Sequence, residues 1–216
     1  MTHICERGIQ FRRPGSFAVC CVFWVGGLMA WPVSSVVALA ADTDSATQAV
    51  KMTIDRVMQL LANDDLKGLE QAKEKRRLLQ QVIGERFDYE EMGKRTLGFQ
   101  WRKLNETQQK EFVLLFQEFL SNTYAGNVDG YSGEQVEYLK ERRKGNFAEV
   151  QTKVIAPKIE IPLNYRLMKK STNWMVYDVV IDGVSLVKNF RGQFARIIKG
   201  DSFEGLLDKL REKTSN

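Results

Sequence analysis

Hydrophobic residues recur at three- and four-residue steps between residues 42 and 86, the spacing that puts side chains on one face of an α-helix. A polar break at 63–65 divides this stripe, so the pattern predicts two consecutive helices. We expect the charged run 74–77 on the solvated face of the second helix. The stripe comprises Val50, Ile54, Val57, Met58, Leu61, Leu66, Leu69, Leu79, Val82 and Ile83.

Capping signals predict the next two helices. A short helix is predicted within 87–97 with Asp88 as its N-cap, because an aspartate side chain can accept hydrogen bonds from the first free backbone N–H groups. Asn105 precedes a longer helix, and Gln108 three residues later completes a capping box. We expect that helix to end near Gly126, since glycine suits a left-handed C-cap. Its apolar face comprises Phe112, Leu115, Phe116, Phe119 and Leu120.

The pattern then changes to the two-residue alternation of β-strands. Short turns separate the strands, so neighbours should pair antiparallel. Two closing helices are predicted, and Asp201 or Ser202 caps the second. The predicted strands are 134–142, 147–156, 159–169 and 174–181, and the predicted helices are 186–199 and 202–213.

The fourth predicted strand is apolar on both sides, so it either lies at the centre of a sheet or meets a second apolar surface. Under strict alternation, Trp174, Val176 and Val180 share one side, while Met175, Tyr177, Val179 and Ile181 share the other. The element order predicts an α+β fold. We expect a four-stranded antiparallel sheet, with room for an extra short strand, packed with N-terminal and C-terminal helices.

The first forty residues have the layout of an export signal. Arginines at 7, 12 and 13 precede a mostly apolar stretch at 17–31, and Ala38-Leu39-Ala40 offers the small residues of a cleavage site. We predict a signal peptide over 1–40, cleaved after Ala40, and a single domain over 41–216. The alternative is an uncleaved membrane anchor, but the apolar core is shorter than the ~20 residues that span a bilayer.

The predicted leader contains every cysteine and the one histidine of the chain, namely His3, Cys5, Cys20 and Cys21. The remaining domain therefore cannot form a Ser-His-Asp or Cys-His relay or the usual zinc site. We expect no catalytic residues, no metal and no cofactor. A disulfide-free exported domain suits a bacterial periplasm better than a disulfide-rich secreted setting.

Charge gives no reason to expect a nucleic-acid partner. The whole chain carries 32 Lys+Arg against 27 Asp+Glu, a formal net charge of +5. Part of that excess lies in the leader, and the remainder is close to balanced, unlike a chain that binds phosphate backbones.

Sequence motifs for enzyme chemistry are also missing. No phosphate-binding glycine loop and no G-x-S-x-G elbow occurs. Asp178 and Asp182 share a strand face at about 13 Å, because a strand rises roughly 3.3 Å per residue, and that is too far for a general acid/base pair. The chain instead has many large apolar side chains. These either fill a solid core or line a cavity for an apolar ligand, and periodicity does not separate the two.

Several segments resemble the toluene-tolerance/MlaC family. The segment Phe87–Gly98 with Trp101 resembles its FDF..MA...LG..W block, and Gly183–Phe194 resembles its GVSLV.NYR.QF block, with Phe190 in the tyrosine position. Further similar stretches are 123–125, 150–154, 161–167 and 174–179. The match runs along nearly the whole of 41–216.

The resemblance implies a soluble periplasmic phospholipid carrier that supports outer-membrane lipid asymmetry. Such a carrier shuttles lipid between an outer-membrane lipoprotein complex and an inner-membrane Mla-type ABC transporter, with transient membrane-surface contact. Acyl tails would occupy an apolar cavity between sheet and helices, and we expect a monomer. A hopanoid or other polycyclic lipid is an alternative cargo, and a small α+β enzyme with a hydrophobic cleft is a second alternative.

Candidate ligand-binding residues follow from combining the apolar pattern with the resemblance. Arg166 and Arg191 are candidates for the lipid headgroup, and basic runs at 73–77 and 142–144 are candidates for an anionic membrane or an acidic partner. The candidate pocket residues are Phe112, Phe116, Phe119, Tyr165, Leu167, Met175, Tyr177, Val179, Val184, Leu186, Val187 and Phe190.

Overall fold

The computed structural model describes residues 45–215, except 67, 69, 130–132 and 158. The predicted leader and its cleavage after Ala40 lie outside the described residues. The helices are α1 Ala46–Ala62, α2 Ala72–Gly84, α3 Tyr89–Leu97, α4 Glu106–Asp129, α5 Leu186–Gly200 and α6 Phe203–Thr214. The strands are β1 Gln135–Lys144, β2 Phe147–Ala156, β3 Ile159–Lys170, β4 Asn173–Ile181 and β5 Val184–Ser185.

The five strands form one antiparallel sheet in the order β1-β2-β3-β4-β5. Each strand pairs with its neighbour in sequence, because the connecting turns are too short for anything but an antiparallel return. The predicted α+β class is confirmed, and β5 is the extra short strand. Within the described residues, no helix is long and apolar enough to cross a membrane.

A β-bulge in β4 changes which of its side chains share a face. Arg166 pairs with Asp178 and Leu167 with Val176, so Tyr177 is the extra residue without a partner in β3. An extra residue reverses the alternation beyond it. Trp174, Val176, Val179 and Ile181 therefore share one face and pack into the same hydrophobic cluster. That face is apolar along the length of the strand, and the opposite face carries the half-buried Met175 and the buried Val180 on either side of Asp178.

Side-chain caps begin the helices where the sequence predicts them. The Asp88 side chain accepts a hydrogen bond from the Glu91 N–H, and Ser202 accepts one from the Gly205 N–H. Asn105 and Gln108 exchange two hydrogen bonds, which is the predicted capping box. Helix α4 continues to Asp129, so its expected end near Gly126 is wrong. A glycine within a helix weakens it by about 1 kcal/mol without ending it.

One face of the sheet packs against α1. This cluster contains Val50 of α1, Val150 of β2, Leu167 of β3 and Val176 of β4, all at most 2% exposed. Glu141 of β1 fixes the beginning of α1, because its Oε2 accepts hydrogen bonds from the Thr47 N–H at 2.8 Å and the Ser45 hydroxyl at 2.9 Å. A carboxylate also stabilises the positive end of the helix dipole.

An aromatic cluster holds α3, α4, α5 and α6 together. Phe112 and Phe116 of α4 are fully buried, with ring centroids 5.6 Å apart. Phe190 and Phe194 of α5 meet Phe116 edge-on at 5.8 Å each. Gly93 of α3 allows close packing here, because a Cβ at that position would lie 3.1 Å from the Phe112 ring.

The segment between α2 and α3 is bonded to the sheet. Asp88 N–H donates to the Val176 carbonyl and Val176 N–H donates to the Arg86 carbonyl, each at 2.8 Å, which places Phe87 beside β4 as a parallel bridge. Lys170 forms an ion pair with the buried Asp88 carboxylate. These bonds fix the end of α2 that lies next to the sheet.

Candidate functional site

The principal cavity of the described residues lies between α2, α3, α4 and the sheet. It has a volume of about 240 Å³. Apolar side chains from β4 and the beginning of α5 form one wall, and α2 forms the opposite one. It is lined by Ala72, Lys75, Arg76, Leu79, Gln80, Ile83, Phe87, Tyr89, Met92, Leu120, Ser121, Tyr124, Tyr165, Val179, Ile181 and Leu186.

Helix α2 contributes a single stripe of side chains to this cavity. Residues 72, 75, 76, 79, 80 and 83 are spaced by three and four, so they lie on one helical face. The stripe changes character along the helix: Lys75 and Arg76 lie toward its N-terminal end, and Ile83 lies near its C-terminal end. Arg76 is exposed and Lys75 is half-buried, whereas Leu79 is buried and Ile83 is half-buried. The cavity therefore has a cationic, solvated end and an apolar interior.

Two tyrosines in the cavity wall lie in a strongly desolvating environment. Burial raises the pKa of Tyr89 to about 12 and raises the pKa of Tyr165 as well. A higher pKa keeps both phenols neutral across the physiological range. Neither side chain brings charge into the interior, so the wall there presents apolar ring surface.

A second, smaller cavity of about 150 Å³ lies between α1, the end of α2 and the sheet. Ile83, Phe87 and Tyr165 line both cavities, so these three side chains form the partition between them. Arg86 also lines the second cavity, where it donates to the Trp174 carbonyl at 2.7 Å and to Thr53 Oγ1 at 3.2 Å. Burial lowers the pKa of Arg86, which nevertheless stays cationic.

A polar contact joins two of the helices that enclose the principal cavity. Gln80 Nε2 of α2 donates a hydrogen bond of 2.7 Å to Ser121 Oγ of α4. Both side chains line the cavity. A neutral hydrogen bond of this kind contributes only about 0.5–1.5 kcal/mol, so α2 is held against α4 by a weak and reversible contact.

The structure brings Tyr165, Val179 and Leu186 of the predicted pocket residues together on the principal cavity. Most of the others belong to packed clusters. Phe112, Phe116, Phe119, Val187 and Phe190 pack in the aromatic cluster, and Leu167 is fully buried between the sheet and α1.

Three further predicted pocket residues lie away from both cavities. Tyr177 is the bulged residue of β4, and its ring packs under the Arg95 guanidinium at 4.1 Å. Met175 is half-buried on β4, and Val184 is 56% exposed on β5. Strict alternation had grouped Tyr177 with Val179, and the bulge separates them.

The two predicted headgroup arginines lie away from the cavity, and Arg166 is held by two carboxylates. Arg166 Nη1 lies 3.0 Å from Asp178 Oδ2, and its Nε lies 3.4 Å from Glu149. Arg191 lies against the corner after α3, where a Cβ on Gly98 would come within 3.1 Å of its guanidinium. Gly98 has φ +57°, so both its conformation and its neighbour favour glycine. Neither arginine lines the cavity.

The sequence-based set of pocket residues includes none from α2, because the N-terminal half of this helix is charged. Residues 74–77 were expected to be solvated together, whereas the helix separates them. Glu74 and Arg77 form an ion pair on the outside, and Lys75 and Arg76 lie at the cavity. The three- and four-residue spacing back from Ile83 was the available signal.

Polar groups that could support covalent or metal chemistry are sparse here. No carboxylate of the described residues lines the principal cavity. Nor does that part of the chain contain a group of three His, Cys, Asp or Glu side chains that could hold a metal ion. The arrangement is suited to enclosing hydrocarbon, with a cationic group at the entrance.

Fold and site define the class: an α+β domain in which a sheet and helices enclose an apolar cavity. A family model described as MlaC protein matches residues 51–212, and the chain belongs to this family. The phospholipid transport system binding protein MlaC of Haemophilus influenzae is 25% identical over 129 residues, which are 57% of this chain and 60% of that protein. This chain therefore matches less than two thirds of that relative's length.

A solved structure has a similar fold. The phospholipid-binding protein from Ralstonia solanacearum, in complex with a phospholipid, matches with a TM-score of 0.71 and 27% sequence identity. The match covers 79% of this chain and 97% of that one. The shared fold therefore extends over nearly the whole of the Ralstonia protein.

Proposed function

We propose that this protein is a periplasmic phospholipid carrier whose principal cavity encloses acyl chains. The observation that carries the proposal is the cavity itself, which has apolar walls and a cationic end. The similar fold of the Ralstonia solanacearum protein, whose structure is a complex with a phospholipid, supports it. The revised set of tail-contacting residues is led by Leu79, Ile83 and Val179. Tyr165 and Leu186 complete it from the sheet and from α5.

The need for such a carrier follows from the hydrophobic effect. Each methylene group moved from water to an apolar environment gains about 0.8 kcal/mol, so two tails with about 30 methylenes represent roughly 24 kcal/mol. A lipid cannot cross an aqueous compartment unaided at that cost. Transfer from a bilayer into an apolar cavity exchanges one hydrocarbon environment for another and is close to neutral. The carrier therefore needs an apolar interior without strict selection among tails.

Loading requires the walls of the cavity to move. A volume of about 240 Å³ is below the roughly 300–1,000 Å³ typical of small-molecule sites. The walls offer two ways to enlarge it: separation of α2 from α4 by breaking the Gln80–Ser121 hydrogen bond, and displacement of the Ile83, Phe87 and Tyr165 partition. Either of these two movements would break few hydrogen bonds or ion pairs.

The direction of transport would come from the partners. We propose that the carrier docks, as a monomer, to an outer-membrane lipoprotein complex and to an inner-membrane ABC transporter, with transient contact to the membrane surface. Hydrolysis of ATP by the transporter would supply any free energy. A binding cavity without catalytic groups suits this division of work.

Organic extraction and native mass spectrometry of the purified protein test the proposal. We expect diacyl phospholipid at about one molecule per chain. Recovery of a hopanoid or another polycyclic lipid in its place would assign a different cargo to the same cavity. Recovery of no lipid, together with failure to load from phospholipid vesicles, would contradict the carrier function.

A further inference from the structure

We infer that Lys75 and Arg76 of α2 bind the anionic phosphate of the lipid headgroup, with the acyl chains directed toward Ile83. This inference rests on the proposed function and adds to it the position and orientation of the headgroup. It replaces Arg166 and Arg191, the candidates from the sequence, because neither of them lines the cavity and Arg166 is paired with Asp178.

Lys75 and Arg76 supply the formal charge of the cavity. Every other described lining side chain is neutral or apolar, and none is a carboxylate. An amphiphile that places its hydrocarbon inside and its head at this end would therefore meet two positive charges and no negative one. An anionic head gains from that field, and a neutral head does not.

The charges on the outside of α2 leave these two side chains available. Glu74, the nearest carboxylate in sequence, is bonded to Arg77 through two hydrogen bonds of 2.7 Å. Within the described part of the chain, neither Lys75 nor Arg76 forms an ion pair. The ammonium and guanidinium groups thus keep their hydrogen-bond donors for a ligand. A guanidinium can bind phosphate oxygens in a bidentate manner, and an ammonium provides a flexible point charge.

The length of α2 fits the division between head and tail. Lys75 and Arg76 precede Ile83 by seven to eight residues, which is about 11 Å at a rise of roughly 1.5 Å per residue. Leu79 lies between them on the same face and is buried. A lipid lying along this face would have its phosphate at the solvated end. Its first methylene groups would pass Leu79 before reaching Ile83.

A double variant with a matched control tests the inference. Lys75→Gln with Arg76→Gln removes both cavity cations, and Lys73→Gln with Arg77→Gln removes the same two charges from the same helix away from the cavity. Each full-length protein is exported, purified and loaded from vesicles containing equal amounts of phosphatidylglycerol and diacylglycerol with the same tails. Native mass spectrometry then gives the ratio of the two bound lipids. Circular dichroism confirms that each variant is folded.

We expect the wild-type protein and the Lys73/Arg77 variant to prefer phosphatidylglycerol. In the Lys75/Arg76 variant, that preference should fall about tenfold, because two partly solvated charge contacts with the headgroup are lost. Binding of diacylglycerol should be unchanged. An equal preference in all three proteins would overturn the headgroup site while leaving the carrier function intact. Failure of the wild type to bind either lipid would overturn both.

Inorganic phosphate provides the second arm, since a free anion offers the same chemistry as a headgroup. The lipid-headgroup site predicts that millimolar phosphate alone binds weakly and leaves lipid loading unchanged. Phosphate binding that depends on Lys75 and Arg76 and displaces the bound lipid would assign these residues to a free anion instead, and would overturn the inference.

Discussion

The buried Asp178 carboxylate lies 3.0 Å from the Arg166 guanidinium, measured between Oδ2 and Nη1. The same carboxylate accepts hydrogen bonds from the Ser185 hydroxyl at 2.7 Å and from the Val187 N–H at 3.1 Å. Ser185 in turn caps α5 by accepting from the Lys188 N–H. One aspartate thus connects β3, the bulge of β4 and the beginning of α5, and it keeps Arg166 away from the cavity.

Replacing this aspartate should destabilise the protein. Asp178→Ala leaves the buried Val187 N–H without its acceptor and leaves Arg166 with Glu149 as its remaining carboxylate, and an unsatisfied buried donor costs about 1–3 kcal/mol. Ser185→Ala removes a helix cap and should cost only about 1 kcal/mol. Urea unfolding monitored by tryptophan fluorescence measures both. Equal stability of Asp178→Ala and the wild type would contradict the assigned network.

The Glu141 contact with α1 predicts a pH dependence. Burial raises the pKa of Glu141, but hydrogen bonds from Thr47 and Ser45 outweigh it, and the net pKa lies below the ordinary value of 4.5. A lowered pKa means that the charged carboxylate stabilises the fold above about pH 4.5, and that this contribution is lost as the pH falls through the lower, folded-state pKa.

Glu141→Gln should therefore lower the free energy of unfolding by about 1–2 kcal/mol at pH 7, as expected for hydrogen bonds to a charged group. The difference from the wild type should shrink on acidification below pH 4.5. Urea unfolding at a series of pH values measures it. A difference that is constant from pH 7 to pH 3 would show that the carboxylate charge has no part in holding α1.

Filling the partition between the two cavities should reduce lipid loading. Ile83→Trp enlarges a side chain that lines both cavities, so a bound acyl chain would overpack the interior. Overpacking typically costs about 1–3 kcal/mol, so the lipid occupancy should fall about five- to hundredfold. Leu114→Trp is the control, because Leu114 is 67% exposed on the outside of α4. Lipid extraction from both purified variants gives the occupancies. If both variants carry wild-type amounts of lipid, the tails lie elsewhere.

The Gln80–Ser121 contact predicts control of lipid exchange. Gln80→Ala removes a hydrogen bond worth about 0.5–1.5 kcal/mol and should speed exchange up to about tenfold. Bridging Gln80→Cys and Ser121→Cys with a short bifunctional thiol reagent should stop exchange, and the described residues contain no other cysteine. Transfer of a fluorescent phospholipid between vesicles reports the rate. Unchanged transfer after bridging would mean that lipid enters by another route.

Much of the fold could be predicted because its signals are local. Asp88 and the Asn105–Gln108 pair determine helix starts through bonds within one turn of the chain, so the residue types alone indicate them. The antiparallel order follows from turn length in the same way. The end of α4 was harder to predict, since a glycine permits but does not require the helix to stop.

The site could be predicted only in part, because it depends on contacts between distant segments. Tyr177 is an extra residue only with respect to β3, and nothing within the strand's own sequence indicates the bulge. Phe116 and Tyr165 are both large and apolar by pattern, yet the former packs in the aromatic cluster and the latter lines the cavity. Periodicity identifies a buried face without indicating whether the space opposite it is filled.

Photocrosslinking tests most directly whether the principal cavity encloses the acyl chains. The probe is a phospholipid that carries a diazirine near the end of one acyl chain. After loading and irradiation, peptide mass spectrometry identifies the labelled residues. An acyl chain enclosed in the principal cavity should label its walls, at Ile83, Met92 or Val179. Labels confined to exposed apolar side chains such as Phe99 or Leu114 would contradict it.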